Sequence, residues 1–415
     1  MSKKKKLIPE LRFPEFSKEE EWEEKTLGEL TKVISKRNKE NKSLPVYSIN
    51  NKEGFLPQAE QFEGISSNKR GYDISQYKII ERNTFAYNPA RINVGSLGYS
   101  GNLHNILISS LYVCFKTTHR IDDVFLLYFF DTSHFSKEVE NNVEGGLRSY
   151  LFYQNFSNIS ISIPGIKEQQ KIANCLTSLN ELINAHSDKL EALKHHKKGL
   201  MQNLFPQEGK KVPNYRFPEF DKDGEWVKKE LNQLGNLING LTYRPKDLRE
   251  NGLLVLRSSN IQNGIIDFSD CVFVRTDIKG ANLSEPNDIL ICVRNGSKQL
   301  IGKNALIPKD IPLATHGAFM TVFRAKYPEF VFQLLQSDAY NNQVKADLGA
   351  TINSINGKNF MKYEFLIPKN PKEQQKIASC LSAVDDLITA QVQKIEQLQQ
   401  HKKGLMQGLF PKIES

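Results

Sequence analysis

The sequence predicts an α+β chain in which two mixed α/β domains alternate with two long helices. The helices pair as an antiparallel coiled coil, and the whole forms a pseudo-two-fold internal repeat. Three observations carry the prediction. Short motifs recur once, 204 or 205 residues further on; the best-matched segments space their apolar residues as helical heptads; and the segments between them set β-branched and aromatic runs between Gly, Asn and Pro breakers. In order, the elements are a first domain over residues 1–163, a helix over 164–206, a second domain over 207–370 and a second helix over 371–411.

The first domain opens with LRFPEF at 11–16, followed by Trp22, and the second with YRFPEF at 215–220, followed by Trp226. Beyond these openings the similarity thins to scattered identities such as Asn83 with Asn287, Gly98 with Gly302 and Phe156 with Phe360. The halves therefore share a plan while their middles differ. LISSLYVCFK (107–116), NDILICVR (287–294) and AFMTVFRA (318–325) read as strands, which dominate both domains, with a helix over 327–340 among the few helices.

The helical segments are the best conserved part of the repeat. EQQKIA at 168–173 recurs at 373–378, HKKGLMQ at 196–202 recurs at 401–407, and 24 of 39 positions agree between 168–206 and 373–411. Ile172, Leu176, Leu179, Ile183, Leu190, Leu193, Leu200 and Leu204 fall on alternating steps of four and three once His186 and Lys197 are admitted to the stripe. The second copy repeats the seam as Ile377, Leu381, Val384, Ile388, Ile395, Leu398, Leu405 and Leu409, with Gln391 and Lys402 at the polar positions. The two seam lysines are expected to face solvent. Pro206 and Pro411 stop the helices, and Pro371 suits a first helical turn.

At 1.5 Å per residue each helix is a rod of roughly 55 Å and needs a partner along its stripe. The ends of a compact domain usually lie close together, so the first helix should end near the start of the second. Antiparallel pairing follows, with one domain expected toward each end of the rod.

The composition bounds the function. With 415 residues, 25% of them charged and 39% hydrophobic, the chain is long enough for two or three globular domains. The longest apolar stretch, near 125–130, is far short of the roughly 20 residues that cross a bilayer. The opening MSKKKKLIPE has no apolar core of a secretory signal, so a cytoplasmic protein without membrane contact is expected. Five cysteines, odd in number and without a CxxC pair, argue against a disulfide frame or a zinc knuckle.

Catalytic motifs fail one by one. In GSKQLIGKN (296–304) five residues separate Gly296 and Gly302 where a phosphate-binding loop needs four, and Asn304 replaces its hydroxyl residue. AYNPAR (86–91) is similar to the Asn-Pro-Pro-aromatic loop of amino-methyltransferases, but Ala90 and Arg91 stand where the second proline and the stacking ring belong. No GxGxxG opens a helix, and the eight histidines offer no HExxH spacing. No catalytic residue and no metal ligand is nominated.

The net charge of +9 suits a polyanion, and the surplus sits in the globular parts, +3 over 1–167 and +5 over 207–372, not on the helices. Candidate contacts to a polyanion are Lys36 and Arg37 in the basic run 32–42, Arg91, Arg244, Arg257 after the apolar run LLVL, and Arg294, Asn295 and Lys298 in RNGSKQ, whose donors suit phosphates and base edges.

Two divergent globular segments alternating with two near-identical helices resemble the specificity subunit of type I restriction-modification systems. The carriers are LRFPEF and YRFPEF, IPGIKEQQKIA and IPKNPKEQQKIA, and HKKGLMQNLFP and HKKGLMQGLFP, and together they span essentially the whole chain. The resemblance implies two target recognition domains, each reading half of a bipartite DNA site, with the helices as spacer. It implies two methyltransferase (modification) subunits and restriction/translocase subunits as partners. S-adenosylmethionine, ATP and Mg would then sit on those partners, with no cofactor in this chain. It also draws attention to the Gly-rich loops GGLRSY (145–150) and GATINSING (349–357), and so to Arg148, Tyr150, Asn353 and Ser354. Unlike domains imply unlike half-sites. The readings that stay open beside it are a coiled-coil scaffold without DNA binding and a self-sufficient methyltransferase or nuclease.

Overall fold

The computed structural model describes residues 7–51, 53–61, 71, 73–144, 150–348 and 353–411. The chain divides into two compact units, one of residues 1–186 with 394–415 and the other of residues 187–393. Both boundaries fall inside long helices, the central helix Ile166–Leu204 and the C-terminal helix Pro371–Leu409. Each unit thus holds one α/β half, the start of the helix that follows it and the end of the other helix.

The α/β halves repeat one antiparallel sheet, while their mixed sheets share a parallel pair and differ in the edge strands. In the first, strands Thr31–Ile34, Val113–Thr117, Phe85–Tyr87 and Leu97–Tyr99 form an antiparallel sheet in that order. A mixed sheet runs Gly54–Pro57, Val46–Asn50, Ile106–Ile108, Lys78–Ile80. In the second half the antiparallel sheet is Gly235–Asn239, Met320–Ala325, Ile289–Cys292, Asn304–Leu306. Its mixed sheet is Leu248–Arg249, Phe273–Val274, Leu253–Leu256, Ala314–His316. A short ribbon closes each half, Glu23–Thr26 with Ser160–Ile163 and Val227–Glu230 with Glu364–Ile367.

The scattered identities mark places this topology needs. Asn83 and Asn287 both sit at positive φ, 55° and 67°, in the turn that enters the equivalent strands Phe85–Tyr87 and Ile289–Cys292. Asn tolerates the left-handed region better than any residue except Gly. Phe156 and Phe360 are fully buried, packed on Tyr87 and Phe323 respectively. Gly98 and Gly302 answer different demands. A Cβ on Gly98 would come within 2.9 Å of Ile49, whereas Gly302 has φ +88°.

Two expected elements are shorter than their apolar runs. The run 107–116 is broken between Ile106–Ile108 and Val113–Thr117, because Ser109 closes a turn: its carbonyl accepts from the Tyr112 N–H and its hydroxyl from the Leu111 N–H. The helix over 327–340 is two helices, Pro328–Leu334 and Asp338–Leu348. Ser337 separates them, its hydroxyl donating to the Leu334 carbonyl and capping the Tyr340 N–H.

Nine of the twenty heptad positions are buried and the other eleven are half-buried. None of the heptad positions from Ile172 to Leu204 or from Ile377 to Leu409 is exposed. In the second unit Lys197 of the central helix pairs with Asp385 of the C-terminal helix at 2.7 Å, while Leu204 joins the cluster that holds Ile377. Later residues of one helix meet earlier residues of the other, so the two run antiparallel. In the first unit Ile172 and Leu176 share a core with Leu405, Leu409 and Phe410. Burying each large apolar side chain contributes about 1.5–3 kcal/mol.

The seam lysines do not face solvent. Lys197 is 15% exposed and ion-paired to Asp385, which also accepts from Gln333 Nε2. Lys402, at the same place in the repeat, lies over the Tyr128 ring, whose hydroxyl meets Asn180 and Thr177. The lysine stem fills the apolar seam and its ammonium reaches a carboxylate in one unit and an aromatic face in the other. Among the described residues no helix is long and apolar enough to cross a membrane.

Candidate nucleic-acid interface

Each half is fastened to the helix that follows it by its opening motif. Arg12 donates two hydrogen bonds to Glu168, and Arg216 donates two to Glu373, at 2.8–2.9 Å. The glutamates lie in the first turn of each long helix, where the amide dipoles favour a negative charge. Each carboxylate, held beside its guanidinium, raises that arginine above its ordinary range. Lys171 pairs with Glu15 and lies over Phe13, and Lys376 repeats this with Glu219 and Phe217. The ends of the helices return to the tryptophans: Phe205 packs edge-on to Trp226 and Phe410 edge-on to Trp22.

With the scaffold anchored in this way, register brings the candidate contacts to one end of each antiparallel sheet. In the second half Asn239 pairs with Thr321, Cys292 with Met320 and Leu256 with His316. The segments that carry Arg244, Arg257 and Arg294 therefore leave their strands at the end from which Met320–Ala325 enters. Arg294 is bridged to Ser354, and Asn295 Nδ2 donates to Ser258 Oγ, beside Arg257. Arg257, Arg294, Asn295 and Ser354 converge. Asn353 is exposed next to Ser354, and Lys298 begins the short turn Lys298–Leu300. Arg244 stands ahead of the Pro245–Asp247 turn, joined to this cluster by no contact among the described residues.

A polar cavity of about 500 Å³ opens between Arg294, Ser354, Asn356 and Asp347. Asp347 accepts from Asn359 Nδ2 and the Tyr363 hydroxyl. Burial and then that carboxylate push Tyr363 above the phenol range. Two cations already have acidic partners, Arg257 with Asp270 and, in the first half, Lys36 with Glu81. Burial pushes the Cys292 thiol at the strand end up, against a hydrogen bond from Asn295.

The first half has the same layout with other residues. Ile34 pairs with Cys114 and Tyr87 with Val113, so the segments of Lys36, Arg37 and Arg91 leave one sheet end. Arg37 donates to Gln76, and Arg91 is exposed. The Leu151 N–H binds the Pro89 carbonyl, as the Ile355 N–H binds that of Val293. Tyr150 stacks on the exposed Phe152, with rings 5.7 Å apart. Arg148 lies outside the described residues. Asn356 lies in the Gly-rich loop 349–357 but was not singled out there, while Asp347 and Phe152 carried no signal in the linear sequence, where a lone carboxylate or aromatic is unremarkable. Among the described residues no group of three or more His, Cys, Asp or Glu could hold a metal ion.

Duplicated α/β halves, each clamped to a long helix and each presenting a donor-rich loop cluster at one sheet end, define a tandem recognition protein. The family described as type I restriction modification DNA specificity domain matches residues 19–195 and 223–400, one copy per half. The chain belongs to that family, the specificity subunits of type I restriction-modification systems. It is 31% identical over 199 residues to the EcoKI specificity subunit of Escherichia coli K12, a match covering 45% of this chain and 41% of that protein's length. It is 26% identical over 320 residues to the MjaVIII specificity subunit of Methanocaldococcus jannaschii, 73% of each. The crystal structure of the type I system S subunit from M. genitalium has the same fold, with a TM-score of 0.62 at 14% identity, covering 98% of this chain and 100% of that one.

Proposed function

We propose that the two halves each read one part of a bipartite, asymmetric DNA sequence, with residues 1–163 and 207–370 as target recognition domains and 164–206 and 371–411 as spacer helices. The chain itself is non-catalytic. It docks two methyltransferase subunits and the restriction/translocase subunits, which hold S-adenosylmethionine, ATP and Mg, in the cytoplasm.

The observation that carries this reading is one antiparallel sheet, repeated in both halves, presenting unlike residues at the same end. The loop after Phe85–Tyr87 offers Ala90 and Arg91 where the loop after Ile289–Cys292 offers Arg294 and Asn295. A common scaffold with different donors suits two different half-sites, since base edges are told apart by donor and acceptor pattern. The positive surplus of both globular parts suits the phosphates that flank those bases.

Exchanging residues 207–370 for the matching segment of a relative, with methylome sequencing of cells that hold the modification partner, tests it. The exchange changes one half of the methylated motif and spares the other; a change in both halves refutes independent reading. The purified chain alone, given tritiated S-adenosylmethionine and duplex DNA, transfers no label.

A further inference from the structure

Among the described residues, the two most exposed large apolar side chains are Leu111, at 74%, and Phe319, at 59%. They occupy the same place in the two halves. Phe85 pairs with Phe115 and Ile289 with Phe323, and Phe85 and Ile289 are equivalent in the repeat. Leu111 and Phe319 each stand four residues ahead of those partners. Each tops the turn that leads from the mixed sheet into the antiparallel one, after Ile106–Ile108 and after Ala314–His316.

Single exposed apolar residues are ordinary on a protein surface. These two are set apart by their shared position and by their neighbours. The Phe319 carbonyl accepts from the N–H groups of Val293 and Arg294, and the Arg294 guanidinium lies 5.8 Å from the Phe319 ring centre. Phe319 is thus tied to the loop that offers Arg294 and Asn295. Leu111 stands two residues before Val113, the partner of Tyr87, from which the segment of Arg91 departs, and the Lys78 ammonium is bound to the next carbonyl, that of Tyr112. In each half a bare apolar side chain stands on a hydrogen-bonded turn, with the Arg294 guanidinium at Phe319 and the Lys78 ammonium bound one residue after Leu111.

We infer that Leu111 and Phe319 are wedges that enter the base stack of the bound duplex, one in each half-site, while the neighbouring cations hold the backbone. Resting on the DNA reading proposed above, this adds a means of specificity to it. A side chain such as Leu or Phe pushed between base pairs unstacks one step, and flexible steps such as TA and CA/TG yield at least cost. Each half-site then contains a deformable step that no hydrogen bond reads. The hydrogen bonds that hold each turn lower the entropic cost of presenting the wedge.

The test uses the full chain assembled with its modification subunits and a duplex carrying the motif found by methylome sequencing. 2-Aminopurine replaces, one at a time, each purine other than the methylated adenine. Binding raises its emission at one step in each half-site. Phe319→Ala removes the rise in one half-site only and weakens binding about tenfold; Leu111→Ala does the same in the other, and Phe319→Leu restores the signal. Both side chains are exposed, so the thermal midpoints stay unchanged. Normal binding without any rise in emission, or a rise that survives both alanine variants, overturns the wedges alone. Alanine variants that lose the modification subunits while the emission still rises place these residues in a protein interface, and overturn the inference too. A wild-type complex that binds no duplex overturns the proposed function as well.

Discussion

Arg12 and Glu168 lie 156 residues apart and meet through two parallel N–H···O bonds of 2.9 and 2.8 Å, with 9% of the arginine side chain and 1% of the glutamate side chain exposed. The second half repeats the pair as Arg216 and Glu373. Two of the identical words of the repeat, RFPEF and EQQKIA, are therefore two sides of one joint, through which a recognition half is set on its helix. The tryptophans differ: Trp226 Nε1 donates to Glu373, whereas Trp22 Nε1 is buried with no hydrogen-bond partner among the described residues.

Arg12→Ala leaves the Glu168 carboxylate buried and uncompensated, and costs about 3–5 kcal/mol of stability. Arg12→Lys recovers only part, because an ammonium cannot make the bidentate contact. Urea unfolding checks both. A double replacement by Met, at Arg12 and Glu168 together, should fall much closer to wild type than either single variant.

Lys197→Ala removes the partly buried ion pair with Asp385 and leaves that carboxylate with Gln333 alone, at a cost of about 1–2 kcal/mol. Lys402→Ala gives up the contact with the Tyr128 ring and a Coulombic attraction to Asp131 but no ion pair, about 0.5–1 kcal/mol. Thermal unfolding of the two variants should rank them in that order, although the lysines are equivalent in the repeat.

His316 is fully buried; its Nε2 binds the Ile238 carbonyl and its Nδ1 the Ser284 hydroxyl. Burial holds its pKa below the ordinary 6.5. Below that pH the unfolded chain takes up a proton that the folded chain refuses. The contribution is therefore complete above about pH 6.5 and is lost as pH falls from there toward the lowered value, at up to about 1.4 kcal/mol per pH unit. Urea unfolding from pH 7.5 to 5 measures the slope, and His316→Gln should remove this part of it.

Arg294→Ala should weaken specific DNA binding by about 1–3 kcal/mol if its guanidinium reads a guanine. The methylated motif should relax at one position in one half only. Arg257→Ala, whose guanidinium is held by Asp270, should have the smaller effect. Binding isotherms at fixed salt, with methylome sequencing of each variant, check both, and unchanged affinity and motif would place Arg294 on an idle surface.

Much of this was legible in the linear chain because it depends on local period. The repeat, both long helices and the seam from Ile172 to Leu409 follow from which side chains recur every three or four residues, whatever they pack against. Ser109 and Ser337 show the limit. Each interrupts an apolar run with one hydroxyl whose effect depends on the backbone around it. The lysines at 197 and 402 show it again, since their partners, Asp385 and Tyr128, are chosen by which helix faces lie side by side.

The amino-acid sequence by itself determined the duplication, the alternation of α/β halves with helices, and the antiparallel sense of the seam, because periodicity and chain connectivity are properties of the linear order. The tertiary structure alone decided that Arg12 meets Glu168, that Phe410 returns to Trp22, and that Leu111 and Phe319 stand bare while equally apolar neighbours are buried. Those outcomes depend on contacts between residues far apart in the chain. Burial and pairing are set there by geometry that no single segment carries.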